Sequence, residues 1–353
     1  MSDLRERIER LQAEEGRRDK PATIYDVARR ANVSIKTVSH VINRRMHVSE
    51  PTRARVQKAI DELSFQPNVF ARGLAGERSY LIALLCDIPA TGSGYVSALQ
   101  IGMLPICRSK GFHLMVESFD VHSHEFSEQV RSLVAESRLH GVILTPPLCD
   151  MPELIHTLEN SRTAFVRIAP ERPTKGAIDI HIDDVQAAHE MTSYLIRLGH
   201  RRIAFIKGPT DHADANARFN GYRAALAQAG LPFIEELCVQ GAFSYQSGLK
   251  AGEHLLSLRK RPTAIFAGND DMAAAVLAIA QRFNVDIPRQ LSVAGFDDSP
   301  VCQVVWPGLT TCRQPIEEMA QRAISLLITG DDLVNKKLSH ELVVRESTAP
   351  PDE

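Results

Sequence analysis

The sequence lacks the features that mark membrane proteins, secreted proteins and several common enzyme classes. No apolar run approaches the roughly 18–20 residues of a bilayer span, and the one around Leu81–Ile88 suits a buried strand. The opening residues Ser2-Asp3-Leu4-Arg5-Glu6-Arg7 are charged, without the apolar segment of a secretion signal. Six cysteines (Cys86, Cys107, Cys149, Cys238, Cys302, Cys312) lie far apart with no C-x-x-C pair. That spacing points to free thiols in a reducing cytoplasm rather than to disulfides or a zinc site. There is no G-x-x-x-x-G-K-[S/T] loop, no H-E-x-x-H, no tandem repeat and no low-complexity tract. The expectation is a soluble cytoplasmic protein with no cofactor and no membrane contact.

Two weaker enzyme signals remain. Gly92-x-Gly94-x-x-Ser97 follows the strand ending near Ile88, with Glu117 at the end of the next strand, and superficially matches a dinucleotide fingerprint. Its third position is Ser97 rather than Gly or Ala, and the gap from strand to glycines is long. A flexible loop at a ligand cleft explains the glycines equally well. His122-x-His124-Glu125 carries metal-capable groups but sits in a polar stretch after a strand, as a solvated loop does. Nothing pairs a nucleophile with a base, so the chain is not read as an enzyme.

What is present divides by charge. The 353 residues have room for two or three domains, and their 41 Lys and Arg against 43 Asp and Glu give a net charge of −2. Residues 1–76 hold 15 basic against 10 acidic residues, a net of +5, leaving 26 against 33, a net of −7. A basic head stands before an acidic body. The near-neutral total is a sum of two opposite parts, and nucleic-acid binding belongs to the first.

The head is tightly punctuated. Residues 1–21 form a charged leader with Leu4, Ile8 and Leu11 at helical spacing, too short to hold a helix without a partner. This leader is expected to be disordered, with Arg17, Arg18 and Lys20 adding weak phosphate attraction. Thr23 and Asp26 form a capping box for a helix through Tyr25, Val27, Ala28 and Ala31. Asn32-Val33 ends it, and Ser34 is placed to cap a second helix carrying Val38, Val41 and Ile42. After a loop, Asn43–Val48, a third helix opens at Ser49 and Pro51 and carries Val56, Ile60 and Leu63. Two short helices joined by a tight turn, with a third behind, form a helix-turn-helix.

A recognition helix leaves its early residues free for base edges. Lys36 and His40 can donate to major-groove acceptors, and Ile35 can meet a thymine methyl. Thr23, Tyr25, Thr37, Ser39, Asn43 and Thr52 suit phosphate oxygens, and Ser34 and His47 belong to the same expected DNA-contacting set. A three-helix bundle that docks on protein is disfavoured by the positive charge and the polar outward positions.

Beyond residue 77 the pattern changes to strands at Leu81–Cys86, His113–Val116, Val142–Thr145, Ala164–Ile168, Ile203–Ile206, Ala264–Ala267 and Ser292–Ala294, alternating with amphipathic helices. This is the signature of parallel α/β architecture, and more than 260 residues of it suggest two lobes. Ligands in such folds lie at the carboxyl ends of strands. Arg167, Asn269-Asp270 and Asp297-Asp298 stand there, and Arg218 opens a helix after the strand ending near Lys207. Asp270 alone reads equally well as a helix cap.

The strings Ala22-Thr23-Ile24-Tyr25-Asp26-Val27-Ala28, Val33-Ser34-x-x-Thr37-Val38-Ser39-x-Val41-Ile42-Asn43, Val48-Ser49-x-x-Thr52-Arg53 and Leu63-x-Phe65-x-Pro67-Asn68 resemble the lactose-repressor/galactose-repressor family of bacterial transcription regulators. The likeness continues through Leu198-Gly199-His200-Arg201-Arg202-Ile203, Arg218-x-x-Gly221-Tyr222, Asn269-Asp270-x-Met272-Ala273, Gly295-Phe296-Asp297-Asp298 and Leu309-Thr310-Thr311. It implies an α/β fold with an N-terminal helix-turn-helix headpiece and hinge helix, then a two-lobed periplasmic-binding-protein-like core of parallel sheets. The implied divisions are a headpiece at 22–67 (helix-turn-helix about 24–43), a hinge helix at 68–77 and a core at 78–348. Within the core, the N-lobe covers about 78–180 and 313–340, and the C-lobe about 181–312 and 341–348.

The resemblance also implies an allosteric repressor. Its homodimer would read a near-palindromic operator, associating with the nucleoid when bound, and Asn68, Ala71 and Leu74 of the hinge would join the DNA contacts. Leu74 would wedge into the minor groove, and Gly73 fits a hinge helix of marginal stability. A small effector, most naturally a sugar or sugar derivative, would bind between the lobes. Carried over by position, Arg218, Asn269 and Asp297 would bond its hydroxyls, Phe243 would stack on it and Tyr95 would line the N-lobe. Arg167 stands where some sugar-binding members have an acidic residue, which suggests a carboxylate, phosphate or acetamido group on the ligand. No heptad repeat follows the last strand-like segment, Leu342–Arg345, so a dimer is expected rather than a tetramer.

His40 departs from the arginine that many family members carry. His40→Arg is therefore expected to change operator preference more than overall affinity. Binding-site selection on both proteins checks this, and identical consensus sequences refute it.

Overall fold

A computed structural model describes residues 22–42, 48–65, 79–88, 94–172, 178–330 and 337–352. The chain divides into two compact units, residues 1–79 and 80–353. Among the described residues no helix is long and apolar enough to cross a membrane.

The first unit packs three helices, α1 (Ile24–Ala31), α2 (Ile35–Ile42) and α3 (Glu50–Glu62). Thr23 and Asp26 close the capping box reciprocally: Asp26 accepts from the Thr23 amide at 2.9 Å, and the Thr23 hydroxyl accepts from the Asp26 amide at 3.4 Å. Asn32 ends α1 in the left-handed region, with φ of 50°, a conformation Asn tolerates better than most residues. Ser34 then accepts from the Thr37 amide at 3.1 Å and starts α2. Ser49 behaves differently from a capping serine, since its hydroxyl pairs with that of Thr52 at 3.0 Å. Val27, Val38 and Val56, one from each helix, are fully buried against Ala28, Ala31, Val41 and Ala59. Each such valine contributes about 1.5–3 kcal/mol of transfer free energy.

The second unit contains two sheets. In the first lobe β1 (Leu81–Asp87), β2 (His113–Phe119), β3 (Gly141–Leu144), β4 (Ala164–Ile168) and β5 (Ile178–Ile180) run parallel in the order β2-β1-β3-β4-β5. In the second, β6 (Ile203–Lys207), β7 (Cys238–Gln240), β8 (Ala264–Ala267), β9 (Ser292–Asp297), β10 (Thr310–Arg313) and β11 (Glu341–Val343) take the order β11-β10-β9-β8-β6-β7. All neighbours are parallel except β11, which runs antiparallel to β10. Strand β1 shows why its run is apolar through Cys86. Ile82, Leu84 and Cys86 pack into one layer, and Ala83 and Leu85 into the other. Both faces are covered, so period-two alternation leaves no polar side.

The long helices are α4 (Gly94–Lys110), α5 (Phe126–Ser137), α6 (Pro152–Asn160), α7 (Asp184–Arg197), α8 (Ala213–Gln228), α9 (Tyr245–Ser257), α10 (Asp270–Arg282) and α12 (Ile316–Thr329); a short α11 (Val301–Val304) follows β9. Helix α12 comes after β10 of the second sheet yet packs on α4 and β4 of the first lobe. The chain therefore passes between the lobes after β5, after β10 and again before β11.

The structure adds β5, β7 and β10 to the strands expected from sequence. The first two are three-residue segments at sheet edges. β10 looks polar, but Thr310 and Thr311 are fully buried, with hydroxyls bonded to the Arg345 carbonyl and to Asp270. Glu117 lies two residues before the end of β2, not at a strand terminus, which removes one half of the dinucleotide fingerprint. Five of the six cysteines are buried, Cys238 partly so, and all are free thiols.

Helices α7 and α8 approach closely at Gly221, where a Cβ would lie 2.2 Å from the Val185 carbonyl oxygen. Gly221→Ala is expected to force these helices apart and cost about 1–3 kcal/mol. Urea unfolding measures this, and an unchanged midpoint contradicts it.

Candidate functional site

Segments following strands of both sheets enclose a cavity of about 240 Å³ between the lobes. The first lobe supplies Asp87 at the end of β1, Gly94 and Tyr95 at the start of α4, His122 after β2, and Thr145 and Pro146 after β3. The second supplies Pro209, Asp211, His212 and Asp214 after β6, Arg218 from α8, Ala242 and Phe243 after β7, Asn269, Asp270 and Asp271 after β8, and Asp297 and Ser299 at and after β9. The carboxyl ends of strands are where α/β folds bind ligands, because chain reversals there present loops and helix N-termini to one crevice.

Arg218 organises the second-lobe side. Its side chain is buried, and Nε donates to Asp184 at 2.9 Å, Nη1 to the Gly268 carbonyl at 2.8 Å and Nη2 to Asp214 at 3.3 Å. Asp297 lies 3.6 Å from Nη1, and the guanidinium stands 3.9 Å above the Phe296 ring centroid. Burial opposes its charge, but the surrounding carboxylates prevail and hold its pKa above the ordinary arginine value. Burial in turn lifts Asp184 to about 6 against the pull of Arg218. Arg218 lies in the second turn of α8 rather than opening it as the sequence suggested, since the helix begins at Ala213.

Phe243 occupies the left-handed region, with φ of 53°. Its ring fills space that a side chain at Gly208 would take, since a Cβ there would fall 2.3 Å from Cζ. Asn269 locks this arrangement: its Oδ1 accepts from the Met272 amide at 3.1 Å, capping α10, while Nδ2 donates to the Phe243 carbonyl at 3.0 Å. The cap is thus Asn269, not Asp270. Asp270 instead accepts from the Thr311 hydroxyl at 2.6 Å and the Ser299 amide at 2.7 Å, and burial raises its pKa to about 6. Asp297, at φ of 113°, accepts from Gln314 at 2.6 Å. Burial pushes its carboxyl well above the usual range despite Arg218. Such backbone at Phe243 and Asp297 costs on the order of 1–3 kcal/mol each and persists because the surroundings hold it. Burial, then the nearby Asp214 and Asp297, keep the Tyr95 phenol protonated as a donor.

Tyr95, Arg218, Phe243, Asn269 and Asp297 thus meet on one cavity, and Arg167 does not. Arg167 is 2% exposed and donates from Nε and Nη2 to Asp179 at 2.8 and 2.9 Å, with further bonds to the carbonyls of Cys149 and Arg172. Arg167, expected to meet an effector, is instead engaged within its own lobe: β5, invisible in the sequence, brings Asp179 beside β4 and to the guanidinium. His122 and His124 are exposed as expected of a solvated loop, but His122 also reaches the cavity rim, 3.6 Å from Asp211. Asp87, His212 and Asp214 escaped the sequence reading although strand-end position was available as a signal. Asp184 had no such signal, because only the packing of α7 on α8 brings it to Arg218.

In the first unit, Tyr25 is 68% and Ile35 40% exposed, and Thr23, Ser34 and Lys36 are exposed beside them. Thr37, Ser39, His40 and Thr52 are half-buried, the Thr37 hydroxyl pairing with that of Ser34 at 2.9 Å. Val38 and Val41 face the core, so α2 keeps its early residues on the outside. Asn43, His47, Asn68, Ala71 and Leu74 lie outside the described residues.

A helix-turn-helix unit and a separate two-lobed α/β unit with a polar, aromatic-lined cleft define a DNA-binding regulator with a ligand-binding core. Comparison with known proteins agrees. Residues 23–68 match the model of bacterial regulatory proteins of the lacI family, and residues 192–348 that of a periplasmic binding protein-like domain. The HTH-type transcriptional regulator DegA of Bacillus subtilis (strain 168) is 33% identical over 335 residues, covering 93% of this chain and 98% of its own. The ribose operon repressor of Escherichia coli (strain K12) is 35% identical over 310 residues, covering 87% and 92%. The lac repressor dimer bound to operator and the anti-inducer ONPF superposes with a TM-score of 0.78 at 28% identity, over 94% of this chain and 100% of that one. The chain belongs to the lacI family of bacterial regulatory proteins, a family of transcriptional regulators and not of enzymes.

Replacing Arg218 by Met keeps volume but strands Asp184, Asp214 and Asp297. Arg218→Met is expected to lose about 3–5 kcal/mol, the cost of leaving buried charge uncompensated. Urea unfolding at neutral pH checks it, and a loss below 1 kcal/mol contradicts the hub role.

Proposed function

We propose that this chain is an operator-binding repressor, working as a homodimer in the cytoplasm and on the nucleoid when bound, whose DNA affinity is set by a small polyhydroxylated effector in the cleft between the lobes. The observation that carries this reading is the pairing of fixed donors and acceptors with aromatic faces in one cavity. Arg218 and Asp297 present a rigid polar edge, Asn269 anchors Phe243, and Tyr95 closes from the other lobe. A sugar ring needs that combination, because its hydroxyls give and take hydrogen bonds in a plane while its C–H face is apolar. Relatives bear ligand names of this class: one is a ribose operon repressor, and one related structure is a CelR–cellobiose complex. With Arg167 held by Asp179, nothing at that position favours an anionic ligand.

In the headpiece, Lys36, His40 and Ile35 read base edges while Thr23, Tyr25, Ser34, Thr37, Ser39 and Thr52 hold phosphates. Asn43, His47 and the hinge residues Asn68, Ala71 and Leu74 complete the contact set. Effector binding changes the disposition of the lobes and so the operator affinity, a reciprocal coupling of typically 1–3 kcal/mol.

The test is operator binding by the full chain on a selected duplex at fixed salt, titrated with D-ribose, cellobiose and a panel of other neutral sugars. An effective sugar is expected to shift operator affinity by about 5–150-fold, and Phe243→Ala to weaken that response. If no sugar alters operator binding, the effector reading is wrong. A duplex selection that yields no preferred sequence removes the operator reading.

A further inference from the structure

His212 lines the cleft, yet the contacts proposed for the effector do not use it. It is 7% exposed and stands edge-on to Phe243, with ring centroids 5.6 Å apart. Its Nε2 faces Asp87 Oδ2 of the first lobe at 3.7 Å, and its Nδ1 faces Asp214 Oδ1 of the second lobe at 3.7 Å. That Asp214 oxygen is buried and makes no hydrogen bond among the described residues, while the other oxygen takes the bond from Arg218. A neutral imidazole donates from one nitrogen and presents a lone pair on the other. With a carboxylate before each nitrogen, the neutral ring turns its lone pair on one of them. The imidazolium donates to both and joins the lobes.

We propose that His212 is a proton-dependent latch of the effector cleft, its doubly protonated ring bridging Asp87 of the first lobe to Asp214 of the second and favouring the closed cleft. The charged groups around it support the protonated form. Asp211, in the same loop, adds a third carboxylate, and Arg218 is balanced by Asp184, Asp214 and Asp297. Asp270, Asp271 and Asp297 also line the cavity. Burial works against the His212 charge, but its carboxylate neighbours outweigh burial and raise its pKa above the ordinary histidine value. At the rim a second pair repeats the motif with the lobes exchanged, His122 of the first lobe lying 3.6 Å from Asp211 of the second. That pair is 79% and 39% exposed and solvent-screened, so the deep pair carries the effect.

The sign follows from the raised pKa. The latch holds fully below the unperturbed histidine pKa of about 6.5 and is lost as pH rises through the higher value in the closed state. An effector that binds the closed cleft then binds more weakly at alkaline pH, by about tenfold for every pH unit by which closure raises the His212 midpoint. The effector half of this inference rests on the function proposed above, whereas the link between lobes does not.

Two measurements on the full chain test it. In an NMR titration of the His212 ring, assigned by its disappearance in His212→Gln, the midpoint is expected above about 6.5. It is expected to fall by roughly half a pH unit or more in both Asp87→Asn and Asp87→Ser. An unchanged midpoint in both overturns the latch, because the lobes then do not meet through this pair. In calorimetric titrations, affinity for D-ribose or cellobiose is expected to drop several-fold between about pH 6 and pH 8, and His212→Gln to remove that dependence. A sugar that binds equally at both pH values overturns the coupling to the effector. If neither sugar binds, the failure counts against the proposed ligand class, and the NMR midpoint still decides the latch.

Discussion

A buried guanidinium without partners is so costly that the second lobe is built around the need to satisfy one. Arg218 draws Asp184 from the start of α7, Asp214 from its own helix, Asp297 from the end of β9 and the Gly268 carbonyl from the end of β8. Four separate chain segments are thereby pinned to one point. A hydrogen-bonded cation with several carboxylates also sets the electrostatics of the cleft. Asp184, Asp270 and Asp297 are all pushed upward by burial, and the extent to which each resists protonation depends on the donors it has secured.

From that point the binding surface follows by short steps. The Gly268 carbonyl precedes Asn269, whose amide caps α10 on one side and holds the strained Phe243 on the other. Phe243 can lie where it does because Gly208 has no side chain to meet its ring. Gln314, on the crossing between β10 and α12, bonds Asp297, so a segment passing between lobes touches the floor of the cleft.

Much of the fold was legible in the residues. The headpiece helices announce themselves through Thr23 and Asp26, through Asn32 and through Ser34, because capping chemistry is local and each cap involves residues three or four apart. The long apolar strands were legible for a related reason: a strand covered on both faces is a continuous run. Two of the edge strands were not, since Ile178–Ile180 and Cys238–Gln240 are too short to establish a pattern. Thr310-Thr311 hides in plain composition, its hydroxyls becoming core-compatible only through partners more than 30 residues away.

The site divides along the same line. Sequence alone determined which residue types stand at strand ends, and the family motifs placed Tyr95, Arg218, Phe243, Asn269 and Asp297 among the candidates. The strand-end assignments rest on local geometry, because where a strand stops and a helix starts is written within a few residues, whereas Tyr95 and Phe243 came from the family resemblance alone. Only the tertiary structure decided which candidates share a cavity and what charge each one keeps. It removed Arg167 by laying Asp179 beside it, gave Asp270 to Thr311 and Ser299, and set His212 between carboxylates of two lobes. A side chain's partners at 3 Å are chosen by packing across the whole chain. Charge, protonation and availability for a ligand are properties of those partners, not of the residue.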